Sequence, residues 1–428
     1  GLRNEDIPAV GTTTFRPPCS PMTLGAVAGS NAHECLSLTP KTPMHHLHAA
    51  AGALFAPAGY WLRAQCYLKP GEPMERAIFR EVHNVRNNVG IIDISTLGKI
   101  DLQGRDIVEF LNRVYINGYT NLPIGKSRYG VMLREDGFVL DDGTVTRIGK
   151  NRFLLTTTTA QAGNVMTHLE KLSQVHWPDL DVSMTSVTDD WAGIAIAGPL
   201  SRELLTRISS DVDLSNTSCP FLAYRECRIF DYPTRLFRIS FSGELGYEIN
   251  VPSGYGADFW QNILQVGSDL DIAPYGTEAM NILRIEKGHV TGSEITGRTT
   301  ADDLGFGNMM SNTKLFVGQI MAKRSALVSS ERRQLVGLIP KDKQTDIPRG
   351  GQIVSDPRAP YPIASQGEVT AQCSSPSLGH PVALALLENG RARHGETLVA
   401  HSPLTRQSVA VTITTPIFID PAGDRLYA

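Results

Sequence analysis

The sequence predicts an α+β protein with mixed, largely antiparallel sheets, followed by a small C-terminal antiparallel β-barrel. Three observations carry that reading. Helical and strand periods interleave irregularly between residues 75 and 330, with hairpins among them, where a doubly wound parallel sheet would alternate strictly. The stretch after residue 330 is almost free of helical period and reads as short strands at turn-punctuated spacing. A chain of 428 residues also exceeds one ordinary core, so more than one domain is expected.

Residues 1–70 differ from the rest. "VGTTTFRPPCSPMTLGAVAGS" is rich in Pro, Thr, Ser and Gly and lacks sustained periodicity, which predicts an extended N-terminal connector. Within it, "TPMHHLHAAAGALF" predicts a short capped helix starting after Thr42, with Pro43 at its first position. Residues 71–330 form the predicted body. Residues 75–88 fit a helix with Ile78, Val82 and Val85 on one stripe, Ile91–Ile94 fit a strand, and "GKIDLQG" alternates as another. "GRDIVEFLNRVY" is an amphipathic helix opening at Asp106. "GFVLDDGTVTRIGKNRFLLTTTT", residues 137–159, reads as a hairpin turning at Gly149–Asn151. Helix and strand patterns continue through "NVMTHLEKLSQV", "WAGIAIAGP", "SRELLTRIS" and "YRECRIFDYPTRLFRISFSGELGYEINVP". Residues 331–428 form the predicted barrel.

Composition excludes several classes. Apolar residues at 41%, charged residues at 19% and a net charge of −3 describe a globular chain with no electrostatic case for nucleic acid. Six cysteines lack CxxC spacing, and "MHHLH" at His45, His46 and His48 is the one dense histidine group. That group reads as a helix surface, so no metal is expected and the thiols point to a cytoplasmic protein. No apolar run approaches the ~20 residues that span a bilayer, and the N-terminus lacks a signal-peptide pattern. The missing initiator Met is read as a sign of a processed piece or of part of something longer. There is no GxGxxG after a strand, no GxxxxGK[ST] and no GxSxG, so this chain carries no signal for NAD, FAD or ATP.

What remains are carboxylates in unusual places. Asp141 and Asp142 stand side by side in a hairpin flanked by Val145, Ile148, Phe153, Leu154 and Leu155. They are either turn residues capping backbone amides or a site in which one carboxylate acts as a base. "RISFSGELGYEI" places Glu244 and Glu248 in a Gly-punctuated stretch that fits a hairpin with exposed glutamates or a site. "LRIEKG" at Leu283–Gly288 reads by itself as a salt-linked helix end with Gly288 just past it.

These stretches, in this order and together with "SSPSLGHPVALALL" and "PIFIDPAG", resemble the aminomethyltransferase family, the folate-dependent T-protein of the glycine cleavage system and its relatives. The resemblance covers roughly residues 75–428. "PAVGTTTFRPPCSPMTLGAVAG" and "TTTT" at Thr156–Thr159 are similar to the branch formed by the C-terminal, folate-binding half of heterotetrameric sarcosine oxidase α subunits. The resemblance implies tetrahydrofolate as cofactor and a flavoprotein β subunit as partner, with flavin and NAD carried on other regions or subunits. It implies capture of the one-carbon unit from oxidised sarcosine as 5,10-methylenetetrahydrofolate. A stand-alone aminomethyltransferase or demethylase, and a non-catalytic folate-binding or scaffold subunit, are the alternatives. Residue by residue, it implies Asp142 as the catalytic carboxylate, Asp141 as structural, and Glu248 as acceptor for the pterin edge. Phe241 falls where relatives often have Tyr, Thr158 where they have Asn, and Met280 near an Arg they use; Tyr247 and Arg284 complete the expected cofactor-binding set.

Overall fold

The computed structural model describes Ala26 and residues 39–428 apart from 210 and 361. Most of the expected connector lies outside the described residues. From residue 41 onward that stretch is folded rather than extended: α1 (His45–Ala50) leads into a hairpin of β1 (Ala53–Ala58) and β2 (Trp61–Tyr67). Gly59, at positive φ, makes the turn that lets Ala58 pair with Trp61.

The expected helix-and-strand succession follows: α2 (Met74–Asn87), β3 (Gly90–Asp93), β4 (Gly98–Gln103), α3 (Ile107–Val114), β5 (Lys126–Leu133), β6 (Val139–Gly149) and β7 (Arg152–Thr157). Then come α4 (Ala162–Lys171), β8 (Ser183–Ser186), β9 (Trp191–Ala197), α5 (Ser201–Ile208), β10 (Tyr224–Ile229), β11 (Tyr232–Phe237) and β12 (Gly246–Pro252). The body closes with α6 (Gly256–Val266), β13 (Ala273–Pro274) and α7 (Thr277–Lys287).

Two sheets organise these elements. The five-stranded one runs β5-β6-β7-β4-β8, and the six-stranded one β10-β11-β12-β9-β3-β13, with β13–β3 the parallel pair in otherwise antiparallel ladders. Each sheet buries one face under helices. Helix α3 turns Ile107, Phe110, Leu111 and Val114 inward at i, i+3, i+4 and i+7, onto Ile100, Leu102, Val145, Phe153 and Leu155 of the five-stranded sheet. Helix α6 does the same with Phe259, Trp260 and Ile263 against Ile194, Ile196, Tyr247, Ile249 and Val251. The opposite faces meet each other, where Leu154 packs with Tyr224 and Phe237. Period-2 alternation therefore sends Lys99, Asp142, Thr144, Thr156 and Glu248 toward the space between the sheets.

Strands β14 (Arg333–Pro340), β15 (Gln352–Val354), β16 (Gly367–Ser375), β17 (His380–Glu388), β18 (Thr397–His401) and β19 (Ser408–Thr414) close into an antiparallel barrel. β16 alternates buried and half-buried residues throughout, whereas Pro381–Leu387 of β17 are all buried, because α7 covers the barrel there. Helix α7 is the hub: it packs against α2, β2, β16 and β17. Among the described residues no helix is long and apolar enough to cross a membrane, and Cys66, Cys219, Cys227 and Cys373 are buried and unpaired.

Two glycines test the packing around β6. A Cβ at Gly143 would stand 2.0 Å from the backbone oxygen of Thr156, whereas one at Gly163 in α4 meets nothing within 4 Å. Gly143→Ala should therefore cost about 1–3 kcal/mol by urea denaturation, and Gly163→Ala should stabilise the fold by about 0.5–1 kcal/mol. Equal effects would contradict this packing.

Candidate functional site

Adjacent residues of a strand point to opposite faces, so Asp141 and Asp142 do different jobs. Asp141 is buried beside the helices, and its carboxylate accepts hydrogen bonds from the Thr158 hydroxyl (2.8 Å) and backbone N–H (3.2 Å). It ties β6 to the end of β7. Burial, reinforced by the charge of Asp142, pushes its carboxyl up to about 7.

Asp142 points the other way. Its Oδ2 accepts the Tyr129 hydroxyl at 2.7 Å, while Oδ1 is buried and has no partner among the described residues. Burial raises its pKa and the Tyr129 hydrogen bond works against the rise. Around it the same face is hydroxyl-lined: Thr144 bonds Thr156 (2.8 Å) and Thr146 bonds Ser127 (2.8 Å).

Glu248 stands on the uncovered face of the six-stranded sheet, between Phe237 of β11 and Ala195 of β9. Its carboxylate has no hydrogen-bond or ion-pair partner among the described residues. Burial pushes it up to about 7, against the pull of Lys99. Lys99 is 2% exposed and donates from Nζ to the carbonyls of Ser95 (2.9 Å) and Leu97 (3.1 Å). Burial brings it down to about 8, opposed by Asp93 and Glu248. Tyr275, buried with its hydroxyl unpartnered, also feels the Glu248 charge.

Phe241 lies in the loop before β12, is 38% exposed, and stacks on His289 with ring centroids 5.4 Å apart. His289 Nδ1 lies 2.9 Å from the Phe241 carbonyl, and burial lowers the imidazole's pKa.

The structure thus brings Asp142 and Glu248 onto the two facing surfaces, while Thr158 follows the end of β7 and Phe241 lies in the loop before β12. It does not bring Tyr247 or Arg284 there. Tyr247 alternates away from Glu248 into the helix-covered core, where its hydroxyl accepts a hydrogen bond from Arg202 at 3.2 Å. Arg284 is 2% exposed, with Nε on Asn281 and Nη1 on Glu294 (3.0 Å) and the His289 carbonyl, so its charge is paired away from the two facing surfaces. The helix-end ion pair read from "LRIEKG" exists, with the partner ten residues away in a loop.

Several residues escaped the sequence reading. Lys99 sits in a strand whose alternation looks ordinary, and Tyr129 gave no signal at all. His48 of "MHHLH" is not on a helix surface: it is 2% exposed, with Nε2 3.0 Å from Asp93 and Nδ1 3.0 Å from the Tyr67 hydroxyl. Its contact with Trp260 edge-to-face shows why the inward side of α1 takes an aromatic ring.

Comparison with known proteins agrees with this architecture. The profile of the GCVT N-terminal domain matches residues 44–314, and that of the glycine cleavage T-protein C-terminal barrel domain matches residues 333–420. The chain is 47% identical over 422 residues to the sarcosine oxidase subunit alpha of Rhizobium meliloti, covering 98% of this chain and 43% of that one. It therefore spans less than half the length of those relatives. It is 28% identical to the aminomethyltransferase of Deinococcus deserti, covering 82% of this chain and 90% of that one. Its fold matches the crystal structure of the glycine cleavage system aminomethyltransferase T from Bartonella henselae, with TM-score 0.76, 24% identity, and coverage of 89% and 98%.

A half-buried carboxylate without a partner has a thermodynamic signature. The folded chain holds the Glu248 proton up to about 7, against the usual 4.5. That contribution to stability is complete below the unfolded value and is lost as pH rises through the folded one. Glu248→Gln carries no charge to desolvate. It should be about 1–2 kcal/mol more stable than the native chain at pH 8 and nearly equal to it at pH 5. Denaturation at both pH values decides this, and a variant that is less stable at pH 8 would show that Glu248 is satisfied in the free chain.

Proposed function

We propose, for a chain that belongs to the glycine cleavage T-protein family, that the space between its two sheets binds a reduced folate and that a one-carbon unit is transferred there. The carrying observation is Glu248, a half-buried carboxylate left without a partner among the described residues. Such a group is costly unless a ligand brings donors to it. The edge of a pterin presents two parallel N–H donors, which a carboxylate accepts as a fork.

The other residues fit that ligand. Phe241 offers a partly exposed ring for contact with the pterin, and Thr158 adds a polar group at the rim, although both its own donors are held by Asp141. Tetrahydrofolate, when bound, supplies a nucleophilic nitrogen to which a one-carbon unit can be joined. In this reading Asp142 accepts the proton that the nitrogen sheds, and its carboxylate also stabilises positive charge developing there.

The similarity to sarcosine oxidase α subunits over nearly the whole chain supports a narrower reading: the folate-binding part of a sarcosine oxidase-like enzyme, cytoplasmic, working with a flavoprotein β subunit. In that reading residues 71–330 form the folate-binding body, residues 331–428 the barrel, and the stretch before them a connector. The full-length match to aminomethyltransferases supports the second reading, a stand-alone transferase that turns over without a flavoprotein.

Calorimetric titration with 5-formyltetrahydrofolate tests the first step. Micromolar binding is expected, lost at least tenfold in Glu248→Ala. Because the ionised carboxylate is the acceptor, affinity should fall by about tenfold between pH 8 and pH 6 as Glu248 protonates. No binding by the folded native chain would end the folate reading. Asp142→Asn should keep binding and lose about 10²–10⁴-fold in transfer rate; unchanged transfer would remove Asp142 from the chemistry. Given sarcosine alone, without a flavoprotein, the chain should form no hydrogen peroxide, and peroxide would refute that division of labour.

A further inference from the structure

The two oxygens of the Asp142 carboxylate are not equivalent. Oδ2 is held at 2.7 Å by the Tyr129 hydroxyl, and Oδ1 is buried without a partner. Tyr129 is itself confined. It lies on β5 opposite Thr144, two residue pairs along the ladder from where Val131 faces Asp142 and so on the same face. Its carbonyl accepts the side chain of Asn117 at 2.8 Å, and its ring packs on Phe306 with centroids 5.5 Å apart. The phenol has one acceptor, and burial beside Asp142 drives its pKa far above the ordinary value, so it remains a donor across the accessible pH range.

We propose that Tyr129 is a positioning residue that anchors Oδ2 of Asp142 and so makes Oδ1 the oxygen that takes up the proton. The inference rests on the folate reading for the identity of the proton donor. In that step the N–H bond of the ligand breaks, its electron pair stays on nitrogen, and a new O–H bond forms at Oδ1. The Tyr129 proton does not move. A carboxylate free to rotate would present either oxygen; one clamped by a phenol presents a fixed lone pair, which is what proton transfer over hydrogen-bond distance requires. The hydrogen bond also favours the ionised form, opposing the rise that burial causes and so keeping the carboxyl available as a base.

Of the titratable groups near Asp142, Tyr129 on β5 acts on its carboxyl, while Asp141 on its own strand and Tyr115, whose buried hydroxyl is unpartnered, feel the Asp142 charge. Asp141 and Tyr115 are unchanged in the following test. The carboxyl carbon of Asp142 is titrated by NMR in the free chain, assigned with Asp142→Asn, in native protein, in Tyr129→Phe and in protein with 3,5-difluorotyrosine at position 129. Loss of the donor should raise the carboxyl pKa by about one unit or more. The more acidic phenol should lower it. The acid limb of the transfer rate against pH should move with both, while 5-formyltetrahydrofolate still binds. A carboxyl titration that moves with neither change overturns the proposal, as does an acid limb that stays still while the carboxyl shifts, which is the behaviour of a merely structural hydrogen bond. If the native chain binds no folate, the folate reading fails, and the titration alone still decides whether Tyr129 sets the state of Asp142.

Discussion

One guanidinium holds the parts of this molecule in register. Arg86, on α2, donates to Glu244 at 2.6 Å and to Glu286 of α7 at 3.0 and 2.5 Å, and also reaches the Ser242 carbonyl. Glu286 in turn accepts the hydroxyl of Ser375, at the end of barrel strand β16, and Arg425 from the C-terminal segment closes on Glu244. The three central side chains are at most 6% exposed. Replacing such a network with apolar groups of the same shape is often neutral, so its presence is weak evidence of net stability; removing one member leaves a buried charge uncompensated, at about 3–5 kcal/mol. What the network supplies is specificity of arrangement. Two carboxylates can meet one fork in few ways, and those ways fix α2, α7, the barrel and the loop before β12 together.

That last connection leads to the site. The loop carrying Phe241 is pinned at Ser242 and Glu244, with Gly243 at φ +82° supplying a conformation that other residues rarely adopt. From this anchor the chain enters β12, and alternation presents Glu248 inward four residues later. A second carboxylate, Glu81, performs the same kind of work nearby: it accepts backbone N–H groups of Tyr67 (2.7 Å) and Gly276 (2.8 Å), joining α2 to the hairpin and to the start of α7. The site is therefore framed by elements whose relative placement is set by charge, while their mass is held by apolar packing.

The sequence disclosed what is local and hid what is distant. Periods of 3.6 and 2 were enough for α2, α3, the β6–β7 hairpin and the barrel, because each of those patterns reports burial of one face over consecutive residues. The mixed, largely antiparallel architecture followed from the same signals. Carboxylates in apolar, Gly-marked strands require a reason, which marks the pairs Asp141–Asp142 and Glu244–Glu248; the family resemblance is what selects Asp142 and Glu248 from them. The resemblance implies Tyr247 together with Glu248, yet neighbours in a strand face apart. Arg284 was assigned from its motif, although a motif does not say that Glu294 will consume the guanidinium. The partners of Arg86 lie 158 and 200 residues away, a separation over which no pattern in one sequence speaks.

The facing sheets also explain why their groups titrate where they do. Burial alone would keep Glu248 and Asp142 protonated, and it would strip the proton from Lys99. Each shift is checked by a specific neighbour: Lys99 restrains Glu248, Tyr129 restrains Asp142, and Asp93 with Glu248 restrains Lys99. Glu248 is left at about 7 and Lys99 at about 8. A core built for stability alone would bury Leu or Val at these positions, as the helix-covered faces of the same two sheets do. Keeping one face of each sheet polar forgoes that apolar burial and yields a set of groups able to change charge near neutrality, where a small gain in hydrogen bonding from a ligand is sufficient to decide their state.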